Sequence, residues 1–116
     1  MKIRLTAGAK VLTATLLDNA TARDFAALLP LTLALTDYAS TEKVSDLPKR
    51  LSTKGAPSGS TPSAGDIAYY APWGNLAIFY KDFSHSSGLI KLGRLDGDVE
   101  ALRAAGPIEV KVELAK

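Results

Sequence analysis

Ser84-His85-Ser86-Ser87 is the one place in this chain where hydroxyls sit beside an imidazole. A hydroxyl activated by an imidazole base is how serine nucleophiles are made. Adjacent residues in a polar loop point apart, however, and a catalytic triad needs groups converging from distant segments. His85 therefore reads as a solvated loop histidine. Asp66, following Gly65 at the start of an apolar run, has general acid or base chemistry, but a lone carboxylate there more often caps a turn. Glu42-Lys43 reads as a solvated ion pair. Gly65-Asp66 and Gly97-Asp98 are turn chemistry, and no glycine-rich phosphate loop is present. The aromatic residues offer more. Trp73 in Pro72-Trp73-Gly74 lies at a turn tip, where an indole either caps the end of a sheet, the simpler role, or walls a binding site. Tyr69 and Tyr70 are neighbours on one strand and cannot both face a core. With Tyr80, they leave at least one phenol outside, either lining a groove or covered with its hydroxyl in water.

Composition removes other chemistries. The absence of Cys excludes disulfides and thiolate chemistry, and a single His excludes a multi-histidine metal site. No metal, cofactor or catalytic residue is expected. With 14 basic and 12 acidic residues, the net charge is +2, too balanced and too scattered to suggest nucleic acid or an anionic membrane. No apolar run approaches the ~20 residues of a membrane span, and the N-terminus lacks the apolar core of a signal peptide. These features suit one cytoplasmic domain over residues 1–116, with its oligomeric state open.

Periodicity supplies the elements that must carry these residues. Lys2 to Thr6 and Lys10 to Leu17 alternate polar and apolar residues as strands, with Thr6-Ala7-Gly8-Ala9 as the turn. Asp18 or Asn19 caps a helix running to about Leu29, with Phe25, Leu28 and Leu29 on its apolar face; Pro30 stops it. Leu31, Leu33 and Leu35 alternate with Thr32, Ala34 and Thr36 as a third strand. Ser40 to Ala64 is the least regular part, and its Gly/Pro/Ser/Thr-rich end reads as exposed and mobile. Three apolar runs follow, Ile67 to Ala71, Leu76 to Tyr80 and Leu89 to Leu92, punctuated by Pro, Gly and Ser. Asp96 to Ala105 reads as a short helix with Val99 and Leu102 inside, ended by Gly106. Ile108 to Leu114 is a half-buried closing strand. The expected fold is mainly β: a closed, eight-stranded, mostly antiparallel barrel with two short capping helices.

The order of these elements resembles the cyclophilins, and more closely a small bacterial cyclophilin-like family. Gly65-Asp66-Ile67-Ala68-Tyr69 and Leu76-Ala77-Ile78-Phe79-Tyr80 are similar to the paired central strands. Leu89-Ile90-Lys91-Leu92-Gly93-Arg94-Leu95-Asp96-Gly97 resembles the strand that ends in a phenylalanine-glycine-lysine or -arginine turn. Val99-Glu100-Ala101-Leu102 falls where the second helix sits, and Thr21 to Leu29 resembles the first. The resemblance implies a closed barrel with an apolar proline pocket on its outer face. There an Arg hydrogen-bonds the prolyl nitrogen, and a Gln and a His hold the peptide. Gap-free counting from Gly74 places Leu76 at the Gln position and Ile78 at the pocket phenylalanine; a slip of one places Phe79 there. Counting back from Gly93 places Leu89 at the His position. No residue matches the Arg by motif, although Lys43 and Arg50 lie in the same broad region.

Isomerisation needs a donor aimed at developing lone-pair density to lower a barrier of ~18–20 kcal/mol, and Leu supplies none. The first expectation is a binding domain for a peptide or small molecule that does not isomerise proline. Its groove candidates are Tyr70, Trp73, Leu76, Ile78, Phe79 and Leu89. The alternative is a peptidyl-prolyl isomerase with rearranged groups. A third reading is a different enzyme with Ser40 to Ala64 as a lid, which a cleft holding a strongly shifted ionisable group would mark.

Overall fold

The computed structural model describes residues 1–103 and 106–115. Strands β1 (Lys2–Ala7) and β2 (Lys10–Leu16) form the expected hairpin, with inward Ile3 and Leu5 alternating with outward neighbours. Helix α1 (Ala20–Ala27) follows. Asn19 is its cap, accepting from the Ala22 N–H at 2.8 Å and so satisfying one otherwise unpaired donor of the first turn. Phe25 is fully buried, and Thr21 and Asp24 bind the backbone of Ser52, which fixes the helix against the chain that crosses it.

The remaining strands are β3 (Leu31–Tyr38), β4 (Glu42–Asp46), β5 (Gly59–Ser60), β6 (Asp66–Tyr70), β7 (Asn75–Phe79), β8 (Ser86–Ser87), β9 (Leu89–Leu95) and β10 (Ile108–Leu114). Eight of them close an antiparallel barrel in the order β1-β10-β3-β4-β7-β6-β9-β2, while β5 and β8 pair separately. The interior holds Ile3, Leu16, Leu35, Ile67, Tyr69, Leu76, Ile78, Leu92 and Val112 among others. Tyr69 keeps its phenol satisfied there by accepting the Leu51 N–H at 3.1 Å. Closure also requires a close approach at Gly93, which pairs with both Leu16 and Ile67 beside a bulge. A Cβ at Gly93 would lie 2.2 Å from the Thr15 carbonyl oxygen.

Three expectations change. The second helix is a single 3-10 turn, Glu100–Leu102, with Val99 and Leu102 buried as expected; the end anticipated at Ala105 lies outside the described residues. Bends at Asp96, Gly97 and Val99 lead into that turn, and Gly97 and Asp98 disfavour a helix interior. The segment from Ser40 to Ala64 is not a plain loop: it contributes β4 and β5, and Leu51 and Pro62 are buried. Lys43 is not solvated. Opposite Ile78 and Asp37 in register, it points into the barrel and is 0% exposed. Its Nζ donates to the Gly106 carbonyl at 2.7 Å and lies 3.1 Å from the Asp37 carboxylate, which also accepts from the Tyr80 hydroxyl at 2.7 Å. A buried ammonium needs such partners, and its long stem can cross apolar surroundings to reach them. The hydrogen bond from Tyr80, then that from Lys43, hold the Asp37 carboxyl below the usual carboxylate range. Burial, then the bond to Asp37, pushes the Tyr80 phenol up to about 12.

Candidate functional site

Antiparallel register places directly paired residues on one face of a sheet, so the pairings of β4, β7, β6 and β9 define the outer wall of the barrel. Ala77 pairs with both Val44 and Ala68. Glu42 pairs with Phe79, and Tyr70 with Asn75 and Leu89. Two small residues, Ala68 and Ala77, thus sit at the centre of a ring of larger ones, packed with Phe79, Leu89, Val44 and Tyr70 in an apolar cluster outside the main core. The larger residues of this cluster, Val44, Tyr70, Phe79 and Leu89, also line a cleft of about 220 Å³.

Its lining comes from Tyr38, Glu42, Val44, Tyr70, Trp73, Asn75, Phe79, Phe83, Ser86 and Leu89. Trp73 is 54% exposed yet not loose. Its ring meets Tyr38 edge-on at 5.5 Å and Tyr70 edge-on at 5.2 Å, so β3 and β6 hold it from two sides in the favoured T-shaped geometry. The rim opposite is built by the chain through Phe83 and Ser86. It is tied down by the Phe83 N–H to the Pro62 carbonyl, the Gly88 N–H to the Ser58 carbonyl, and the Ser60 hydroxyl to the Leu89 carbonyl. The Gly/Ser/Pro-rich stretch is therefore what braces this wall.

Two polar groups stand out. Asn75 is only 5% exposed, and its Oδ1 has no hydrogen-bond partner among the described residues. An orphaned buried acceptor costs about 1–3 kcal/mol and calls for a reason. Glu42 is half-buried, and burial pushes its carboxyl up to about 7.

The expected groove residues divide. Tyr70, Trp73, Phe79 and Leu89 line the cleft. Leu76 and Ile78 lie in the barrel core, 1% and 0% exposed. The two-residue period of β7 decides this: Asn75, Ala77 and Phe79 face out, so Leu76 and Ile78 face in. Phe79, the residue that a frame shifted by one would place in the pocket, is on the outward face. Glu42, Asn75, Tyr38 and Phe83 were not anticipated. Asn75, the only polar residue in an otherwise apolar strand, was the signal available for one of them. Neither cation considered for the Arg role reaches the cleft: Lys43 is held inside the barrel, and Arg50 donates to the Ala71 carbonyl at 2.7 Å.

Elsewhere, Asp66 caps its turn by accepting the Ser63 N–H and is paired with Arg94 at 2.9 Å and Lys91 at 3.4 Å. His85 is exposed, with its Nδ1 3.5 Å from the Thr61 hydroxyl. Among the described residues no three His, Asp or Glu converge as a metal-binding set, and no helix is long and apolar enough to cross a membrane.

The sequence model of the cyclophilin-like family matches residues 5–113 of this chain. The solution structure of a hypothetical protein from Archaeoglobus fulgidus superposes with a TM-score of 0.68 over 99% of this chain and 95% of that one, at 19% identity. That likeness is one of fold. No curated protein matches the chain in sequence.

Proposed function

We propose that this chain, which belongs to the cyclophilin-like family, uses its outer cleft to bind a small molecule or a peptide side chain and does not isomerise proline. The observation behind this reading is the cleft's lining: mostly apolar and aromatic walls, with no Lys or Arg among the lining residues. Apolar walls favour ligand burial at roughly 25 cal/mol per Å². Acceleration of amide rotation additionally needs a donor fixed on the prolyl nitrogen, and the two cations considered for that role, Lys43 and Arg50, are engaged with Asp37, Gly106 and Ala71.

The test pairs two measurements on one sample: protease-coupled isomerisation of a proline tetrapeptide, and fluorescence of Trp73, the single tryptophan. The expected outcome is no acceleration above the uncatalysed rate. Turnover like that of an ordinary cyclophilin overturns the reading.

One observation favours a second reading, an enzyme using Glu42 as a general acid or base. A carboxyl near neutrality in a cleft is suited to proton transfer at pH 7. Against it, the lining holds no second carboxylate, histidine, lysine or arginine to act as its partner. A Glu42→Gln variant that loses a measured turnover would promote this reading over the first.

A further inference from the structure

We propose that the ligand of the outer cleft is an organic ammonium: an apolar body of about side-chain size carrying a protonated amine. The inference rests on the binding reading above and names its ligand class.

Four observations point the same way. The cleft is lined by five aromatic residues, Tyr38, Tyr70, Trp73, Phe79 and Phe83. Aromatic faces carry negative potential and attract ammonium groups, with Trp the strongest of the three. Trp73 meets its two neighbours edge-on, so the three rings bound a corner from different directions. The one charged residue in the lining is acidic, and it has no basic partner there. The buried Asn75 Oδ1 lacks a donor, which an ammonium N–H supplies. Finally, about 220 Å³ is less than the ~300 Å³ of pockets that enclose a drug-sized ligand, so the fit is to a ring with a short chain or a single side chain.

Ligand charge follows from the state of Glu42. Burial pushes that carboxyl up to about 7, and an ammonium beside it would favour the ionised form. The other titratable groups in the lining are phenols, Tyr38 opposite Glu42 on β3 and Tyr70 in the cleft wall, with Tyr80 just past β7. The Lys43 side chain points to the barrel side of the same strand. An anionic ligand would meet Glu42 with like charge and leave the Asn75 acceptor unanswered.

The experiment titrates Trp73 emission at pH 8 with four probes: 2-phenylethylamine, its neutral analogue 2-phenylethanol, its anionic analogue 3-phenylpropionate, and N-acetyl-lysine methylamide. Either amine binding about tenfold or more tightly than the alcohol supports the proposal. Which amine binds better separates a free arylalkylamine from a peptide lysine as the source. In Glu42→Gln, with folding checked by thermal melting, the preference for amine over alcohol should fall severalfold, leaving the part carried by the aromatic faces and Asn75. Alcohol or carboxylate binding as tightly as the amines overturns the ammonium class while leaving the cleft a binding site. A preference undiminished in Glu42→Gln overturns the placement of the ammonium beside Glu42. If none of the four probes perturbs Trp73, the cleft reading fails together with its ligand class.

Discussion

Replacing Glu42 with Gln should make the protein more stable at pH 8 and leave its stability nearly unchanged at pH 4. In the unfolded chain the Glu42 carboxyl titrates near 4.5; in the barrel burial raises it to about 7. Below 4.5 the group is protonated in both states and contributes nothing. Between 4.5 and 7 the folded protein holds more protons than the unfolded chain, so stability falls as pH rises, and the loss is complete above the folded pKa. A rise of that size corresponds to roughly 3.4 kcal/mol at 1.36 kcal/mol per pKa unit. Glu42 is only half-buried, and water at its exposed side screens the effect, which leaves about 1–2 kcal/mol. Gln keeps the shape and has no charge to desolvate. Urea unfolding of both proteins at pH 4 and pH 8 measures the quantity directly. Taking the difference between the two proteins cancels groups that titrate in both, including Asp37 and Asp96, whose lowered pKa values act in the opposite direction at acid pH. A variant no more stable than the parent at pH 8, or one stabilised equally at both pH values, refutes the reasoning.

Other outcomes test the frame that holds the cleft. Tyr69→Phe removes the acceptor for the buried Leu51 N–H and should cost about 1–2 kcal/mol in urea unfolding, with no change in the isomerase assay. Gly93→Ala forces a methyl against the Thr15 carbonyl oxygen and should cost about 1–3 kcal/mol by the same measurement; an unchanged midpoint would show that the β2–β9 seam has room to spare. Ala77→Val adds bulk between Val44 and Ala68, so Trp73 emission should lose its response to 2-phenylethylamine while the circular dichroism spectrum is retained.

Much of the barrel was legible because its period-two signal is local. Ile108, Val110, Val112 and Leu114 announce β10 by alternation alone, and Asn19 announces the helix start by a side chain that bonds three residues away. β4 was hidden. Glu42 and Lys43 look like a surface pair, and only the arrival of Asp37 and Gly106 from other parts of the chain lets the ammonium lie inside. The cleft was half legible for a related reason. Tyr69 and Tyr70 could be assigned to opposite faces, but which face was outward on β7 depended on a frame one residue either way. Because β6 and β7 are buried on both sides, apolar residues occupy both parities and erase the alternation that would have chosen between Ile78 and Phe79. Glu42 and Tyr38 could not be placed at the cleft from sequence, since their position there depends on the pairing of β4 with β3 and β7.

Ring closure has a consequence for how this molecule meets others. In an open sheet the outermost strands present a row of unsatisfied amides and carbonyls, and an extended segment of another chain can be recruited by hydrogen-bonding to them. Here each of the eight barrel strands is flanked by two neighbours. The barrel has no outermost strand to lend, so a passing extended peptide finds no template for backbone zippering along it. Recognition by the barrel wall must therefore be carried by side chains, and changes of ligand preference can accumulate at rim positions such as Tyr38 and Phe83 without reopening the ring.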